Sequence, residues 1–216
     1  MLKKARWKIA QIAELIWWKR YLKHQNTSEY LLWKRTYWLN MLKHTGLLGA
    51  DTINKKVIDL GCGPAGIFMV FNHAQIEALD PLLENYESNL PHFKKHFYPA
   101  VKFHSSSIEE FNSENKFDYV FCLNAINHVT HFQKSLDKVI AMTSDTLIIS
   151  IDAHNKPFFK KLFRLLPLDI LHPHQYDLQE YQTMINERGC TILQTHLYKK
   201  QSIFNYYVIV AKKHEK

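Results

Sequence analysis

The sequence predicts an α/β fold, with a seven-stranded, mostly parallel sheet whose last strand is antiparallel, preceded by an N-terminal helical cap. Three observations support this. Short apolar segments alternate with amphipathic ones, as in parallel sheets covered by helices. The first apolar segment runs into a glycine-rich turn. The last two apolar segments, residues 191–198 and 204–211, are joined by a short polar link, which indicates a hairpin.

Residues 1–50 form the predicted cap, which we expect to belong to the same domain unit as the sheet region at residues 51–216. The cap contains ten lysines or arginines and two glutamates, so it carries the whole formal net charge of +8. Apolar residues recur at helical spacing on either side of a break, where Asn26 or Ser28 is placed to cap a second helix that ends near Gly46. All five tryptophans lie in these two predicted helices.

The most informative stretch is Val57–Gly66, which reads VIDLGCGPAG. It predicts a buried strand, a tight turn and, with the following GIFMVFNH, the start of a helix. The glycines also match the dinucleotide fingerprint G-x-G-x-x-G, which is weak evidence alone. Asp59 stands before the first glycine, where a carboxylate favours a cationic ligand. A second strand, Gln75–Leu79, ends in Asp80, which is placed to accept hydrogen bonds from ribose hydroxyls.

VIDLGCGPAG followed by ALDP resembles motifs I and II of the class I S-adenosylmethionine-dependent methyltransferases. The resemblance implies a Rossmann-like fold and S-adenosylmethionine as cofactor, with Asp59 near the methionine ammonium and Asp80 on the ribose. Glycine is commonest in this family at the Ala65 position, and we expect Gly66 to serve instead. A dinucleotide oxidoreductase and a ligand-free turn are the alternatives. The cofactor-binding residues implied in these motifs are Asp59, Gly61, Cys62, Gly63, Pro64, Asp80 and Pro81.

The resemblance also assigns the loop after the third predicted strand, Ala100–His104, to the adenine. The residues implied are Ser106, Ser107 and Ile108. Ser107 occupies a position where the family often has an acidic side chain, and a hydroxyl accepts the same hydrogen bond more weakly. A serine-rich loop without a ligand is the alternative.

The fourth predicted strand, Phe117–Leu123, runs into Asn124-Ala125-Ile126-Asn127-His128. Ligands of open α/β sheets bind beyond the carboxyl ends of the strands, near the point where the strand order reverses. By resemblance, Asn124 and Ala125 line the methionine side and His128 projects toward the methyl group. A neutral histidine is suited to removing a proton from the acceptor, so His128 is the candidate general base. Its alternative role is to position the substrate or the loop.

No metal is expected. Metal-dependent relatives of the catechol type use acids after the fourth and fifth strands, and although Asp152 follows the fifth, Asn124 stands where the other acid is expected. A zinc site made of four histidines is an alternative, and its residues would be His128, His131, His172 and His174. Within a predicted insertion before the helix at 177–188, His172 and His174 are further candidates for substrate binding, with surface turn histidines as the alternative.

Three interpretations of the cap remain open: a cover that packs on the sheet, a lid over the methyl acceptor, and a surface for anionic lipid or nucleic acid. The lid interpretation follows the family, whose members commonly build the acceptor pocket from N-terminal additions. The residues that would face the acceptor are Tyr30, Trp33 and Tyr37.

The sequence thus predicts an enzyme that transfers a methyl group from S-adenosylmethionine to O or N of a small, aromatic or apolar acceptor. The alternatives are an RNA methyltransferase that uses the basic cap and a non-catalytic cofactor-binding protein. Three scattered cysteines and the lack of a long apolar stretch lead us to expect a cytoplasmic protein with reduced thiols. The pattern leaves the oligomeric state open.

Overall fold

The computed structural model describes residues 2–48, 52, 54–72, 74–155 and 176–214, with side chains from Trp7 onward. The predicted insertion before residue 176, with His172 and His174, lies outside the described residues. Seven strands form one mostly parallel sheet, in which the last strand of the chain is antiparallel to both of its neighbours. This arrangement confirms the predicted fold class. By its internal packing the chain divides into two compact units, Met1–Phe111 and Asn112–Lys216.

The secondary structure follows the predicted alternation of helices and strands. Among the described residues, the α-helices are α1 (Leu2–Leu22), α2 (Thr27–His44), α3 (Leu83–Asn89), α4 (Phe132–Met142) and α5 (Leu178–Glu187). The strands are β1 (Lys56–Leu60), β2 (Gln75–Leu79), β3 (Val101–His104), β4 (Phe117–Cys122), β5 (Thr143–His154), β6 (Cys190–Lys200) and β7 (Phe204–Lys213).

The first unit contains the two cap helices and three parallel strands. β2 pairs with β1 on one side and with β3 on the other. The side chain of Asn26 accepts hydrogen bonds from the backbone N–H groups of Ser28 and Glu29, so Asn26 is the cap of α2 and the alternative, Ser28, is not. β1 is buried from Val57 to Leu60, as expected for a strand covered on both faces.

The second unit contains four strands, of which β4 and β5 are parallel and β5, β7 and β6 are antiparallel in turn. The predicted terminal hairpin is confirmed. The side chain of Asp177 accepts the N–H of Glu180 while the Glu180 side chain accepts the N–H of Asp177, which forms a capping box at the start of α5. Gly189 then turns the chain into β6 with a φ of +76°.

Two predicted helices differ from the structure. The segment after the glycine turn is not an α-helix but a short 3₁₀ turn, Ile67–Val70, which follows a first 3₁₀ turn, Gly63–Ala65, within the glycine turn. The sequence also predicts a helix from Pro81 to His96 that starts at the proline, but the structure forms only α3, which ends where Leu90 adopts an extended conformation. Leu90 precedes Pro91, and the residue before a proline disfavours helical backbone.

The three cysteines Cys62, Cys122 and Cys190 are buried, and none of them is in a disulfide. Within the part of the chain that the structure describes, none of the helices has the length and apolarity needed to cross a bilayer.

Candidate active site

The glycine turn after β1 has backbone geometry that only glycine adopts readily. Gly61 has a φ of +70° and Gly63 a φ of +59°, both in the left-handed region. The N–H groups of Gly61 and Cys62 both donate to the carbonyl of Leu79, at 2.7 and 3.0 Å. The turn is therefore fixed against the end of β2, which places the two motifs of the resemblance side by side.

Gly66 is needed for a different reason, since its φ of −77° suits any residue. A Cβ added here would lie 2.3 Å from Oδ2 of Asp59 and 2.6 Å from the carbonyl oxygen of Cys62. Such distances are far inside van der Waals contact, so a side chain at this position must displace the loop or the carboxylate. The absence of a side chain at Gly66 thus allows the backbone to pass close to Asp59. This explains why glycine is required at position 66.

The two predicted carboxylates lie at this turn, and both are buried. Asp59 accepts the N–H of Phe68 at 3.2 Å, which caps the second 3₁₀ turn. Asp80 accepts the N–H of Gly63 at 2.9 Å through one oxygen and the N–H of Leu82 at 2.8 Å through the other. Each carboxylate oxygen has two lone pairs, so these bonds orient the groups and leave acceptor capacity for a ligand.

Burial dominates the electrostatics of the turn. Burial raises the pKa of Asp59 to about 7, against the opposing effects of backbone hydrogen bonds and of the Lys34 ammonium. Burial and the neighbouring carboxyl of Glu14 likewise raise the pKa of Asp80. Lys34 is the cation that acts on Asp59, and burial lowers its own pKa to about 8. The turn therefore holds more buried acid than base, an imbalance that a cationic ligand would relieve.

Both cap helices contact the turn, which sequence reasoning missed. Trp38 of α2 donates its indole N–H to the carbonyl of Ala65 at 2.9 Å in a buried bond. From α1, Trp18 lies 3.7 Å from the position of a Cβ on Gly63, and Glu14 accepts the hydroxyl of Tyr86 at 3.1 Å. Helical periodicity gave no signal for these contacts because the cap helices carry apolar residues on several sides.

The three aromatic residues predicted to face the acceptor lie in different environments. Tyr30 is buried, with its ring 5.4 Å from that of His92, whereas Trp33 is exposed and Tyr37 is half-buried. The ammonium of Lys34 lies over the rings of both Trp33 and Tyr37. The burial of Tyr30 indicates that it packs between the cap helices and His92, while Trp33 and Tyr37 present accessible surface.

The serine turn after β3 is engaged in its own hydrogen bonds. Ser107 is buried, and its hydroxyl accepts the N–H of Glu110 at 3.2 Å. Ser106 donates to the carbonyl of Ser107, and Ile108 is buried. The sequence also predicts a short helical segment at Ile108–Phe111, but residues 108–110 form a turn. These bonds shape the loop, and the assignment of the adenine to it remains a prediction.

At the end of β4, Asn124 adopts left-handed backbone with a φ of +55°, a conformation that asparagine adopts more readily than most residues other than glycine. Its N–H donates to the hydroxyl of Ser150 at 2.7 Å. Ala125 is buried, and it precedes a 3₁₀ turn that ends at His128, whose side chain is exposed.

Asn127 lies between these residues and points inward. Its amide donates to the backbone carbonyl of Asp152 and to the hydroxyl of Tyr181. These hydrogen bonds fix the buried side of the turn, and the side chains of Asn124 and His128 lie on its exposed side. Among the described residues, no cluster of three or more histidines, cysteines or acids is arranged to hold a metal.

Comparisons with known proteins agree with this architecture. A family model described as a methyltransferase domain matches residues 51–208. A curated relative, the ubiquinone biosynthesis O-methyltransferase of Rickettsia conorii, is 29% identical over 114 residues, which are 50% of this chain and 39% of the relative. The alignment thus spans well under half of that relative's length.

Solved structures share the fold at low identity. The Burkholderia thailandensis 1,6-didemethyltoxoflavin-N1-methyltransferase, with its acceptor and S-adenosylhomocysteine bound, has a TM-score of 0.65 at 13% identity over 98% of this chain and 89% of its own. The magnesium protoporphyrin IX methyltransferase of Synechocystis, with S-adenosylhomocysteine bound, has a TM-score of 0.61 at 13% identity, covering 91% and 92% of the two chains. The chain belongs to the class I S-adenosylmethionine-dependent methyltransferase family.

Proposed function

We propose that the protein transfers a methyl group from S-adenosylmethionine to an oxygen or nitrogen of a small, aromatic or apolar acceptor. The observation that carries this proposal is the pair of buried carboxyls, Asp59 and Asp80, held around one glycine turn at the ends of adjacent parallel strands. Buried carboxyls whose pKa is raised are stabilised in the ionised form by a cationic ligand. The turn therefore suits a ligand with a positively charged and a hydroxyl-bearing part.

The residues present fit the family's cofactor. Asp59 would hold the ammonium of its methionine part, and Asp80 would accept from the ribose hydroxyls while it continues to hold Gly63 and Leu82. When bound, the cofactor supplies an electrophilic methyl carbon attached to a sulfonium. The remaining tasks of the protein are to orient the acceptor, to exclude water and to take the acceptor's proton.

His128 is the residue that we propose for the proton. His128 is the last residue of the 3₁₀ turn that follows β4, and the buried side chain of Asn127 fixes this turn. The imidazole of His128 is exposed to solvent. Trp33 and Tyr37 are proposed as aromatic surface for the acceptor, and the small-molecule acceptors named for relatives are consistent with this class.

Calorimetric titration with S-adenosylmethionine and S-adenosylhomocysteine tests the proposal. We expect micromolar binding that weakens at least about tenfold in Asp80→Asn and in Asp59→Asn, since a charge-assisted hydrogen bond contributes about 1.5–3 kcal/mol. Asparagine keeps the shape of the side chain, and circular dichroism verifies folding.

The matched control is Glu114→Gln, which removes an exposed carboxyl from a loop and should leave the affinity unchanged. Wild-type protein that binds neither compound would contradict the proposal. Binding that is equal in all four proteins would contradict the assigned roles of the two carboxyls.

A further inference from the structure

The outward side of α1 carries an apolar stripe. Ile9, Ile12, Ile16 and Trp17 are spaced so that they share one side of the helix, and each exposes more than half of its surface. Ile12 is the most exposed of them, at 60%. We call these four residues the α1 outer stripe.

The opposite side of α1 already packs on the protein. Leu22 is buried, Trp18 meets Tyr86 edge to face at 6.4 Å, and Glu14 accepts the Tyr86 hydroxyl. A surface helix of a globular protein ordinarily has one apolar side and one polar side. α1 has two apolar sides, so the outer stripe is additional to what the fold requires.

The charged residues around the α1 outer stripe are basic, so they favour a negatively charged partner. Lys8, Lys19, Arg20 and Lys23 are exposed on or beside the same side of the helix. The single acid of α1, Glu14, faces the protein and is bound there. The outward side is therefore apolar and positive, without an exposed acid of its own.

A second copy of the chain would bring the same positive charge against this side, and residues 51–216 offer no net negative charge in return. Nucleic acid would account for the basic residues, but three exposed isoleucines give no advantage on phosphates. An anionic bilayer surface accounts for both features, because apolar side chains enter the acyl boundary while lysine and arginine meet the headgroups. Tryptophan at the edge of such a stripe suits the interface.

We propose that α1 docks flat on an anionic lipid surface through the α1 outer stripe. The helix lies in the interface and does not span the bilayer. The proposal is independent of methyl transfer, because it rests on exposed residues that the glycine turn does not use.

Vesicle sedimentation tests the apolar part. The full-length protein is mixed with vesicles of phosphatidylcholine that contain about a third phosphatidylglycerol, and with phosphatidylcholine vesicles alone. We expect binding to the anionic vesicles that weakens at least about tenfold in the double variant Ile12→Ser/Ile16→Ser, because two buried apolar side chains are lost. The matched control is Leu193→Ser/Leu197→Ser, which removes two exposed leucines from β6 and should bind as wild type.

A charge series tests the basic part. The triple variant Lys8→Gln/Lys19→Gln/Arg20→Gln should lose about fivefold in anionic-vesicle binding for each charge removed. The triple variant Lys134→Gln/Lys199→Gln/Lys200→Gln removes three exposed charges elsewhere and should lose much less. Equal losses in the two series would overturn the assignment to α1, and so would equal binding to neutral and anionic vesicles.

Two further measurements keep the proposal testable if a variant folds poorly. With brominated lipids, tryptophan fluorescence of the folded protein should be quenched, and Trp17→Phe should lose more of that quenching than Trp33→Phe, although both residues are exposed. Light scattering gives the oligomeric state. A wild-type dimer that Ile12→Ser/Ile16→Ser converts to a monomer, together with no vesicle binding, would overturn the proposal in favour of a second copy.

Discussion

The ends of β1 and β2 contrast with the end of β4. At the former, Asp59 and Asp80 are buried, and backbone N–H groups hold their oxygens. At the latter, Asn124 and His128 have exposed side chains on a turn that is fixed through its backbone and through Asn127. Buried, multiply bonded groups tolerate few replacements, whereas exposed ones are exchanged at small energetic loss. Under the proposed function, the first region holds the cofactor, which is shared within the family, and the second faces the acceptor, which differs between relatives; we call them the constant region and the variable region.

Replacement of His128 tests the variable region and carries the largest expected effect. If its imidazole removes the acceptor's proton, His128→Gln lowers kcat by about 100-fold or more and changes KM little. Steady-state kinetics on an acceptor found by a turnover screen measures both constants. The control is His131→Gln, an exposed histidine three residues on that should keep kcat near wild type. A raised KM with unchanged kcat would instead assign His128 to acceptor binding.

Gly66→Ala tests the constant region without removing a polar group. The added Cβ would lie 2.3 Å from Oδ2 of Asp59, so the loop or the carboxylate must move. Overpacking of this kind destabilises by about 1–3 kcal/mol. We expect a lower melting temperature and cofactor affinity reduced at least about tenfold, because Asp59 leaves its position.

Gly189→Ala provides the comparison for Gly66→Ala. Its φ of +76° makes alanine unfavourable, but the nearest atom to the new Cβ is 3.6 Å away. The variant should lose stability and keep cofactor affinity. Equal affinity losses in the two variants would show that Gly66→Ala acts through global destabilisation and not through Asp59.

The raised pKa of Asp59, about 7, predicts how stability and binding depend on pH. In the unfolded chain the pKa of an aspartate is about 4. Between about pH 4 and about pH 7 the Asp59 carboxyl is therefore protonated in the folded state and ionised in the unfolded state, so the folded state binds more protons. The free energy of unfolding without ligand should therefore fall as pH rises from about 4 to about 7, and then level off. Denaturant unfolding across this range measures it.

Cofactor affinity should change in the opposite direction, because a cationic ligand prefers the carboxylate. Below about pH 7, we expect affinity to fall by up to about tenfold per pH unit for each carboxyl that must ionise. Asp59→Asn should flatten both profiles. An affinity that is independent of pH between about 5 and 8 would show that the carboxyls are already ionised without ligand.

The sequence predicted the strand ends well and the surroundings of the glycine turn poorly. Asp59 and Asp80 are placed by strand termini and a local turn, which pattern and spacing determine, and the Asn26 cap is equally local. The helix predicted from Gly66 is replaced by the short 3₁₀ turn Ile67–Val70, where the side chain of Asp59, nine residues before Phe68, accepts the Phe68 N–H, a contact that periodicity does not encode. Contacts such as Glu14 with Tyr86 join residues 72 positions apart, and no periodicity encodes which side of a two-sided apolar helix turns inward.

Trp38→Phe tests that unforeseen contact between the cap and the glycine turn, and its expected effect is the smallest. The ring is retained, but the indole N–H no longer donates to the carbonyl of Ala65, which stays buried. Loss of one buried hydrogen bond lowers the free energy of unfolding by about 1–2 kcal/mol. Trp33→Phe, at an exposed position of the same helix, should change it by less than about 0.5 kcal/mol. If cofactor affinity also falls in Trp38→Phe alone, the cap helps to hold the turn in its binding conformation; if only stability falls, the cap is a cover and the strand ends suffice to shape the turn.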